Sequence, residues 1–297
     1  MPSLRSVIRR GADAPLLLLV LTGALLGSMF PLSRLAIAQG WSPLAFAFWP
    51  ALGSGLILTL AGLRDERPAN WKRPFFLYSV IAGVFSVAIP NSVTFLVMTD
   101  LGTSLTSLMF TLPPLFTYAF AWMLGMELFR PLRLIGILVG LAGAALLVLS
   151  RYTVSAGSIG WLLLALCVPV SLAVGNVYRK LRMPQGMNSS LLAGGMLLGG
   201  ALVMFPVLMA HGSLNIPAYP HWHLLLMQCV FTCLGYIVYF RFQKAADPVY
   251  FSQLGHVMSA MGVLSGLLFF NELLTPMIVA AILVIVAGIA MVNKRAG

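Results

Sequence analysis

Apolar runs recur along the chain and are separated by short polar segments. A run of ~20 apolar residues is long enough to cross the hydrocarbon core of a bilayer as an α-helix. The pattern therefore predicts an all-α membrane protein with ten transmembrane helices. We place them near residues 15–36, 43–63, 75–98, 102–125, 131–149, 158–178, 189–210, 221–242, 248–270 and 275–292.

Composition supports a membrane protein. Of the 297 residues, 60% are hydrophobic and 8% are charged, whereas a soluble domain carries about 25% charged residues. Three cysteines, Cys167, Cys229 and Cys233, lie within apolar runs. A metal site would need further His, Cys or carboxylate ligands nearby, so we predict plain thiols and no metal or cofactor.

The distribution of positive charge predicts the topology. If the N-terminus lies inside, the inside segments hold 16 of the 18 Lys and Arg residues, and only Arg34 and Arg151 lie outside. Cytoplasmic loops carry such an excess of Lys and Arg, so we expect an inner-membrane protein with both termini in the cytoplasm. The net charge of +11 then reflects topology and not nucleic-acid binding. The inside residues are Arg5, Arg9, Arg10, Arg64, Arg67, Lys72, Arg73, Arg130, Arg133, Arg179, Lys180, Arg182, Arg241, Lys244, Lys294 and Arg295.

The two halves of the chain resemble each other at a constant offset. Glu127, Pro131 and Gly143 lie 145 positions before Glu272, Pro276 and Gly288. Chance similarity between apolar helices is the alternative, but the shared Glu-x-x-x-Pro spacing favours a duplication. We expect one five-helix repeat in residues 1–150 and a second in 151–297. Because five is an odd number, the second repeat is expected to be inverted in the membrane.

Each half ends with a turn that contains a Glu, a helix that begins at proline and a Gly-rich last span. In these features the chain resembles the EamA-type members of the drug/metabolite transporter superfamily. Further resemblance lies in the segment from Gly27 to Pro43, which has Arg34 where relatives often place a Lys. The chain departs from many relatives in having Leu26 before Gly27, where they carry a Trp-Gly pair, and no Arg in the second span. The resemblance implies a central cavity, lined mainly by spans one, three, four, six, eight and nine, and amino acids or related amphipathic compounds as common cargo.

Polar residues form matching stripes on two predicted helices. Span nine carries Ser252, His256 and Ser259 on one helix face, with Gln253 beside them. The 145 offset matches this face to Ser107 and Thr111 in span four. Polar stripes in membrane helices avoid lipid, so we predict that these residues contact a substrate. His256 can also take part in proton movement, because imidazole titrates near neutral pH.

Spans three and eight add two further polar pairs, each with i, i+3 spacing: Asn91 with Thr94, and Tyr236 with Tyr239. We predict that both pairs line the cavity, although hydrogen bonding between helices would also explain them. Arg34, near the outer end of span one, is suited to meet a substrate carboxylate or phosphate, or to extend to the lipid headgroups.

These features predict a secondary transporter or facilitator that moves a small organic metabolite by alternating access, with export as the expected direction. The chain has no Walker A loop and no G-x-S-x-G or H-E-x-x-H motif, so we expect no enzymatic activity. The alternatives are an intramembrane enzyme for a lipid-linked substrate and a non-transporting scaffold or sensor with a filled centre. The expected partners are the small-molecule substrate and membrane lipids, with no nucleic acid, and the chain is expected to be a monomer or a homodimer.

Overall fold

The computed structural model describes residues 15–64, 73–152, 158–214, 222–246, 251, 253–273 and 275–293, and this part of the chain contains helices and turns but no strand. In chain order the helices are α1 (Pro15–Gly27), α2 (Met29–Ala38), α3 (Pro43–Leu63), α4 (Arg73–Gly83), α5 (Ile89–Leu108), α6 (Pro113–Met123), α7 (Pro131–Tyr152), α8 (Ser158–Ala165), α9 (Cys167–Arg182), α10 (Ser189–Ala210), α11 (Trp222–Ala245), α12 (Leu254–Phe269) and α13 (Pro276–Asn293).

Within those residues, six helical stretches are long and apolar enough to cross a membrane, and three shorter apolar helices accompany them. The exterior of the bundle is apolar: Leu60, Leu138, Leu163, Leu226 and Leu268 are all more than half exposed. An apolar exterior of this extent is unfavourable in water and favourable against lipid. The structure thus has the all-helical, membrane-protein character that the sequence predicts.

The longest stretch, Pro74–Met123, spans 50 residues and is broken at Gly102, whose backbone has φ 77° and ψ 173°. Glycine adopts this conformation without the steric cost that a Cβ would bring. The break leaves the N–H groups of the next turn without helical acceptors. The carboxylate of Glu272 accepts hydrogen bonds from two of them: Oε1 lies 2.6 Å from Thr103 N, and Oε2 lies 2.7 Å from Ser104 N. A residue of the second half thereby caps a helix of the first half.

A single π-helical turn, Val84–Ala88, connects α4 to α5. Within this turn Ile89 N donates to the Val84 carbonyl five residues back. The next donor would be Pro90, which has no N–H to give to the carbonyl of Phe85. The carbonyl of Phe85 instead accepts a hydrogen bond of 2.9 Å from the hydroxyl of Ser171 in α9. The interruption therefore joins α9 to this turn and brings Ser86 to the centre of the bundle.

A second interruption, the 3₁₀ turn Met109–Thr111, precedes α6. Pro113 and Pro114 cannot donate to the carbonyls of Met109 and Phe110 four residues earlier. Gly255 of α12 packs directly on the freed Phe110 carbonyl, so closely that a Cβ on Gly255 would overlap its oxygen. The close crossing of α12 over this turn therefore depends on the glycine.

Helices α7 and α13 pack through small residues. A Cβ built on Gly143 would lie 2.8 Å from Ile285 N and 3.1 Å from Ala281 O. A Cβ built on Gly288 would lie 2.5 Å from Gly140 N and 2.6 Å from Gly136 O. The glycine-rich face of α7 is thus covered within the chain by α13.

Candidate functional site

A cavity of about 80 Å³, which we call the central chamber, lies among α1–α3, α5, α6, α9–α12 and the two interrupted turns. Prolines and glycines shape its wall, because Pro50, Pro90, Pro113 and Gly255 all border it. The π turn and the 3₁₀ turn therefore both lie at the chamber. Its remaining wall is formed by Leu26, Met29, Phe46, Ala47, Ala51, Ser86, Asn91, Phe95, Phe110, Leu172, Asn176, Leu197, Gln228, Thr232, Tyr236, Tyr239, Phe251, Leu254 and Met258.

The chamber wall combines aromatic rings with hydrogen-bonding groups. The Tyr236 and Tyr239 rings lie 5.3 Å apart, and Phe251 meets Tyr239 edge-to-face at 4.8 Å. The Gln228 amide donates to the Thr232 hydroxyl at 3.2 Å, while its carbonyl oxygen has no protein partner in the described part of the chain. Such a wall suits a small molecule with an apolar body and a few polar groups.

A buried arginine lies directly behind this wall. Arg179 of α9 is 0% exposed, and its guanidinium donates to the Ser86 hydroxyl and, at 2.7 Å, to Oδ1 of Asn176. It also lies 5.4 Å from the Tyr239 ring centre and 5.9 Å from that of Phe251. These four neighbours all line the chamber, so the positive charge acts on the chamber through a single layer of side chains.

The side chain of Arg179 is placed differently from the other cations of its segment. The charge pattern places it with the cations of an inside segment, but the structure points it into the bundle, while Lys180 and Arg182 on the same turn are exposed. The reason is its helix face, since Arg179 follows Asn176 by three residues and both side chains point to the bundle centre. That polar i, i+3 pair near the end of span six is the signal from which this site residue could have been found.

Three of the predicted site residues meet at the chamber: Asn91, Tyr236 and Tyr239. Thr94, the partner of Asn91 in its predicted pair, is instead fully buried outside the chamber wall, and its hydroxyl has no partner among the described residues. Ser86 and Gln228 join the wall although the sequence pattern does not select them as site residues.

The two polar stripes pack on one another beside the chamber. The Ser107 hydroxyl lies 3.2 Å from the Ser259 carbonyl oxygen and 2.8 Å from that of Ser104, and Thr111 donates to the Leu108 carbonyl. Filled packing of this kind is what the scaffold alternative predicts, whereas the adjacent chamber is what a transporter requires. A role for Ser107, Thr111 and Ser259 in substrate contact stays a prediction.

His256 lies on the flank of α12, outside the chamber wall. Its Nδ1 lies 3.2 Å from the carbonyl oxygen of Gln253, which can only accept, so Nδ1 carries the proton in this arrangement. The other nitrogen, Nε2, is buried without a partner in the described part of the protein. Gln253 is half-buried on the same turn, and Ser252 lies outside the described residues.

Arg34 lies in a separate cavity of about 450 Å³, bordered also by Asp100, Asn271 and Glu272. Its guanidinium donates to the carbonyl of Met98 at 2.9 Å. The structure therefore ties Arg34 to α5 and separates it from the central chamber, while a contact with substrate on the way to the chamber stays a prediction.

Known proteins share both the sequence pattern and the fold. The EamA-like transporter family matches residues 14–149 and again residues 159–294. An uncharacterized transporter of Bacillus subtilis (strain 168), YvbV, is 25% identical over 282 residues, which cover 94% of this chain and 91% of that protein. A crystal structure of a protein with 19% sequence identity superposes with a TM-score of 0.66, over 93% of this chain and 96% of the other.

The structural match shows the fold alone, because its sequence identity is low. The family match is stronger evidence, since its two segments together cover most of the sequence. Apolar helices of spanning length and a chamber among them agree with it. This chain is a multi-pass membrane protein that belongs to the EamA-like transporter family, within the drug/metabolite transporter superfamily.

Proposed function

We propose that this protein is a secondary transporter or facilitator that exports a small organic metabolite, an amino acid or a related compound, across the inner membrane. The central chamber carries the proposal, because it is lined by helices from both family segments and holds hydrogen-bonding groups beside aromatic rings. Binding sites between repeats near the bilayer midplane are typical of secondary transporters.

Ten membrane crossings are the helix count that best fits the structure. A 50-residue helical stretch would be about 75 Å long if straight, more than twice the ~30 Å of hydrocarbon. The Gly102 break divides Pro74–Met123 into two stretches of spanning length. If these two, the other five long stretches and the three shorter apolar helices of the described residues each cross the membrane once, the count is ten.

The contacts between α7 and α13 support inverted repeats. The two family segments are offset by 145 residues, so Gly143 corresponds to Gly288, Gly140 to Ile285 and Gly136 to Ala281. Gly143 contacts the counterparts of Gly140 and Gly136, and Gly288 contacts Gly140 and Gly136 themselves. The contacts are thus reciprocal, as across a two-fold axis.

The register of these contacts indicates opposite helix directions. In a parallel pair, positions seven residues apart lie about 10.5 Å apart along the axis. All contacts of a parallel pair therefore share one offset. Here Gly143 contacts the counterpart of Gly136, seven residues behind it, whereas Gly136 contacts the counterpart of Gly143, seven residues ahead of it. Antiparallel packing of α7 and α13 satisfies both contacts, and it is the arrangement that inverted five-helix repeats require.

Alternating access is the mechanism that this arrangement suits best. A chamber of about 80 Å³ is smaller than the ~300 Å³ or more of an open ligand pocket, so loading it requires the helices to move apart. The π turn and the 3₁₀ turn interrupt the helices around it. Tilting of one repeat against the other would open the chamber to each side in turn, with both termini in the cytoplasm.

The test is transport by purified protein in proteoliposomes, with and without a pH gradient, against a panel of amino acids, nucleosides and amines. We expect saturable movement of at least one compound, absent from protein-free vesicles. A variant tests the role of the chamber. Pro50→Leu places a bulkier residue in the chamber wall and should reduce that movement while the protein remains folded. If well-folded protein moves no compound, the proposal is wrong.

A further inference from the structure

The strongest unexplained feature of the molecule is the buried charge of Arg179. An arginine side chain remains protonated in proteins, and a buried charge costs several kcal/mol unless it is paired. The three described acidic residues lie elsewhere: Glu127 pairs with Arg133, Glu272 caps the turn at Thr103, and Asp100 is exposed. No described carboxylate therefore lies within ion-pair distance of Arg179.

The neutral partners of Arg179 compensate the charge only in part. Ser86 and Asn176 accept two of its hydrogen bonds, but Nε is buried without a partner among the described residues. The faces of Tyr239 and Phe251 add cation–π attraction. The corner of the chamber next to this group therefore has a positive potential and lacks a described counter-ion.

The partners of Arg179 present hydrogen-bond donors to the chamber. Because the Ser86 oxygen accepts from Arg179, its own hydrogen is free to donate, and Arg179 polarises it. The Asn176 side-chain nitrogen donates one hydrogen to the Thr117 hydroxyl at 3.2 Å and has a second hydrogen left to donate. Donors beside a fixed cation are the arrangement that binds a carboxylate.

From this corner we infer the substrate class: the chamber binds an organic anion by its carboxylate, held by Ser86, Asn176 and the charge of Arg179. The apolar body of the substrate packs against Phe46, Phe95 and Phe110, which line the rest of the chamber. Cationic compounds are excluded by the same charge. This inference rests on the proposed transport function and specifies the group that the transporter recognises.

A set of molecules with one apolar body tests the inference: 4-methylpentanoate, its amide, 4-methylpentylammonium, and leucine, which adds an ammonium group to the carboxylate. Binding to the purified full-length protein is measured by the rise in its thermal unfolding midpoint, and transport is measured in proteoliposomes. We expect 4-methylpentanoate to bind at least about tenfold more tightly than its amide, and the ammonium compound not to bind. Equal binding of acid and amide, or a preference for the ammonium compound, would overturn the inference.

Variants locate the recognition group. Arg179→Gln should reduce the preference for acid over amide to about twofold, and Arg179→Lys should retain part of it. Lys180→Gln removes the same charge from the next, exposed residue and should leave the preference unchanged. If Arg179→Gln does not fold, Ser86→Ala serves instead and should lower the preference. Undiminished preference in the folded variant contradicts the assignment.

A fifth variant, Asp247→Asn, separates the substrate from a carboxylate of the chain itself, because Asp247 lies outside the described residues and close in sequence to Phe251. We expect Asp247→Asn to keep the acid preference. If it instead gains carboxylate binding that the unaltered protein lacks, Asp247 is the counter-ion of Arg179 and the inference is wrong. Transport of the amide as fast as the acid would reject the inference while leaving the transport function intact, whereas no transport of any compound would reject the function.

Discussion

Glu272 lies against Gly102: a Cβ built on that glycine would come within 2.8 Å of Glu272 Oε1. The two residues belong to different family segments, so this contact joins the halves of the protein at the helix break. Its strength comes from two short charge-assisted hydrogen bonds to backbone N–H groups.

We expect Glu272→Gln to destabilise the protein by about 1.5–3 kcal/mol, because the charged acceptor of two backbone donors becomes neutral and keeps only one oxygen. The measurement is the thermal unfolding midpoint of purified protein at a fixed heating rate. Glu127→Gln is the matched control, since Glu127 occupies the equivalent position but bonds the half-buried Arg133 of its own half at 3.0 Å. An equal loss in both variants would mean that Glu272 does not join the halves.

Gly255→Ala should cost about 3 kcal/mol, at the upper end of overpacking effects, because the new Cβ would overlap the Phe110 carbonyl oxygen. Yield of folded protein and its unfolding midpoint measure the effect. Gly160→Ala provides the comparison: this glycine lies in α8 with no atom within 4 Å of the position that a Cβ would take, so alanine there should be neutral or mildly stabilising. Tolerance of alanine at Gly255 would show that α12 does not cross the 3₁₀ turn as closely as described.

The relative importance of the chamber and the stripe can be measured by two substitutions. Tyr239→Phe removes one hydroxyl at the chamber and keeps the ring, so we expect apparent substrate affinity to fall about two- to tenfold. His256→Ala should have a smaller effect, because the imidazole lies outside the chamber wall. The apparent substrate affinity of each variant is measured from the concentration dependence of uptake. A larger effect at His256 would place the substrate on the stripe formed by Ser107 and Ser259.

Cysteine labelling tests the inversion of the repeats. Leu128 and Leu273 are equivalent positions, 145 residues apart, and are 77% and 88% exposed. In a background without Cys167, Cys229 and Cys233, an impermeant maleimide should label Leu273→Cys in intact cells and Leu128→Cys only in inverted vesicles. Labelling of both from the same side would exclude inverted repeats.

The sequence predicts the helices well because their boundaries have local causes. Pro43 begins α3 at the expected residue, and α10 begins after Asn188, whose side chain caps the helix by accepting from Leu191 N at 2.7 Å. Apolar length and cap residues are properties of a short segment, so one sequence suffices to find them.

The site is harder to predict because it depends on which face each helix presents. Span nine places Ser259 against Ser107 and leaves His256 on its flank, whereas Gly255 meets the chamber. Helix rotation is set by close crossings such as that of Gly255 over Phe110, and these involve residues far apart in the sequence. The charge pattern does not reveal that Arg179 is buried, for the same reason: its neighbours Lys180 and Arg182 face outward, and only the packed bundle distinguishes them.

The crossing of Gly255 over Phe110 has a consequence for how cargo preference could change in this protein. The 145 offset makes these two residues counterparts of each other, so the two halves contact each other here through equivalent positions. The contact there is made by main chain on one side and by a residue without a side chain on the other. Substitutions among the surrounding rings therefore reshape the chamber wall while this main-chain contact between the halves keeps its geometry.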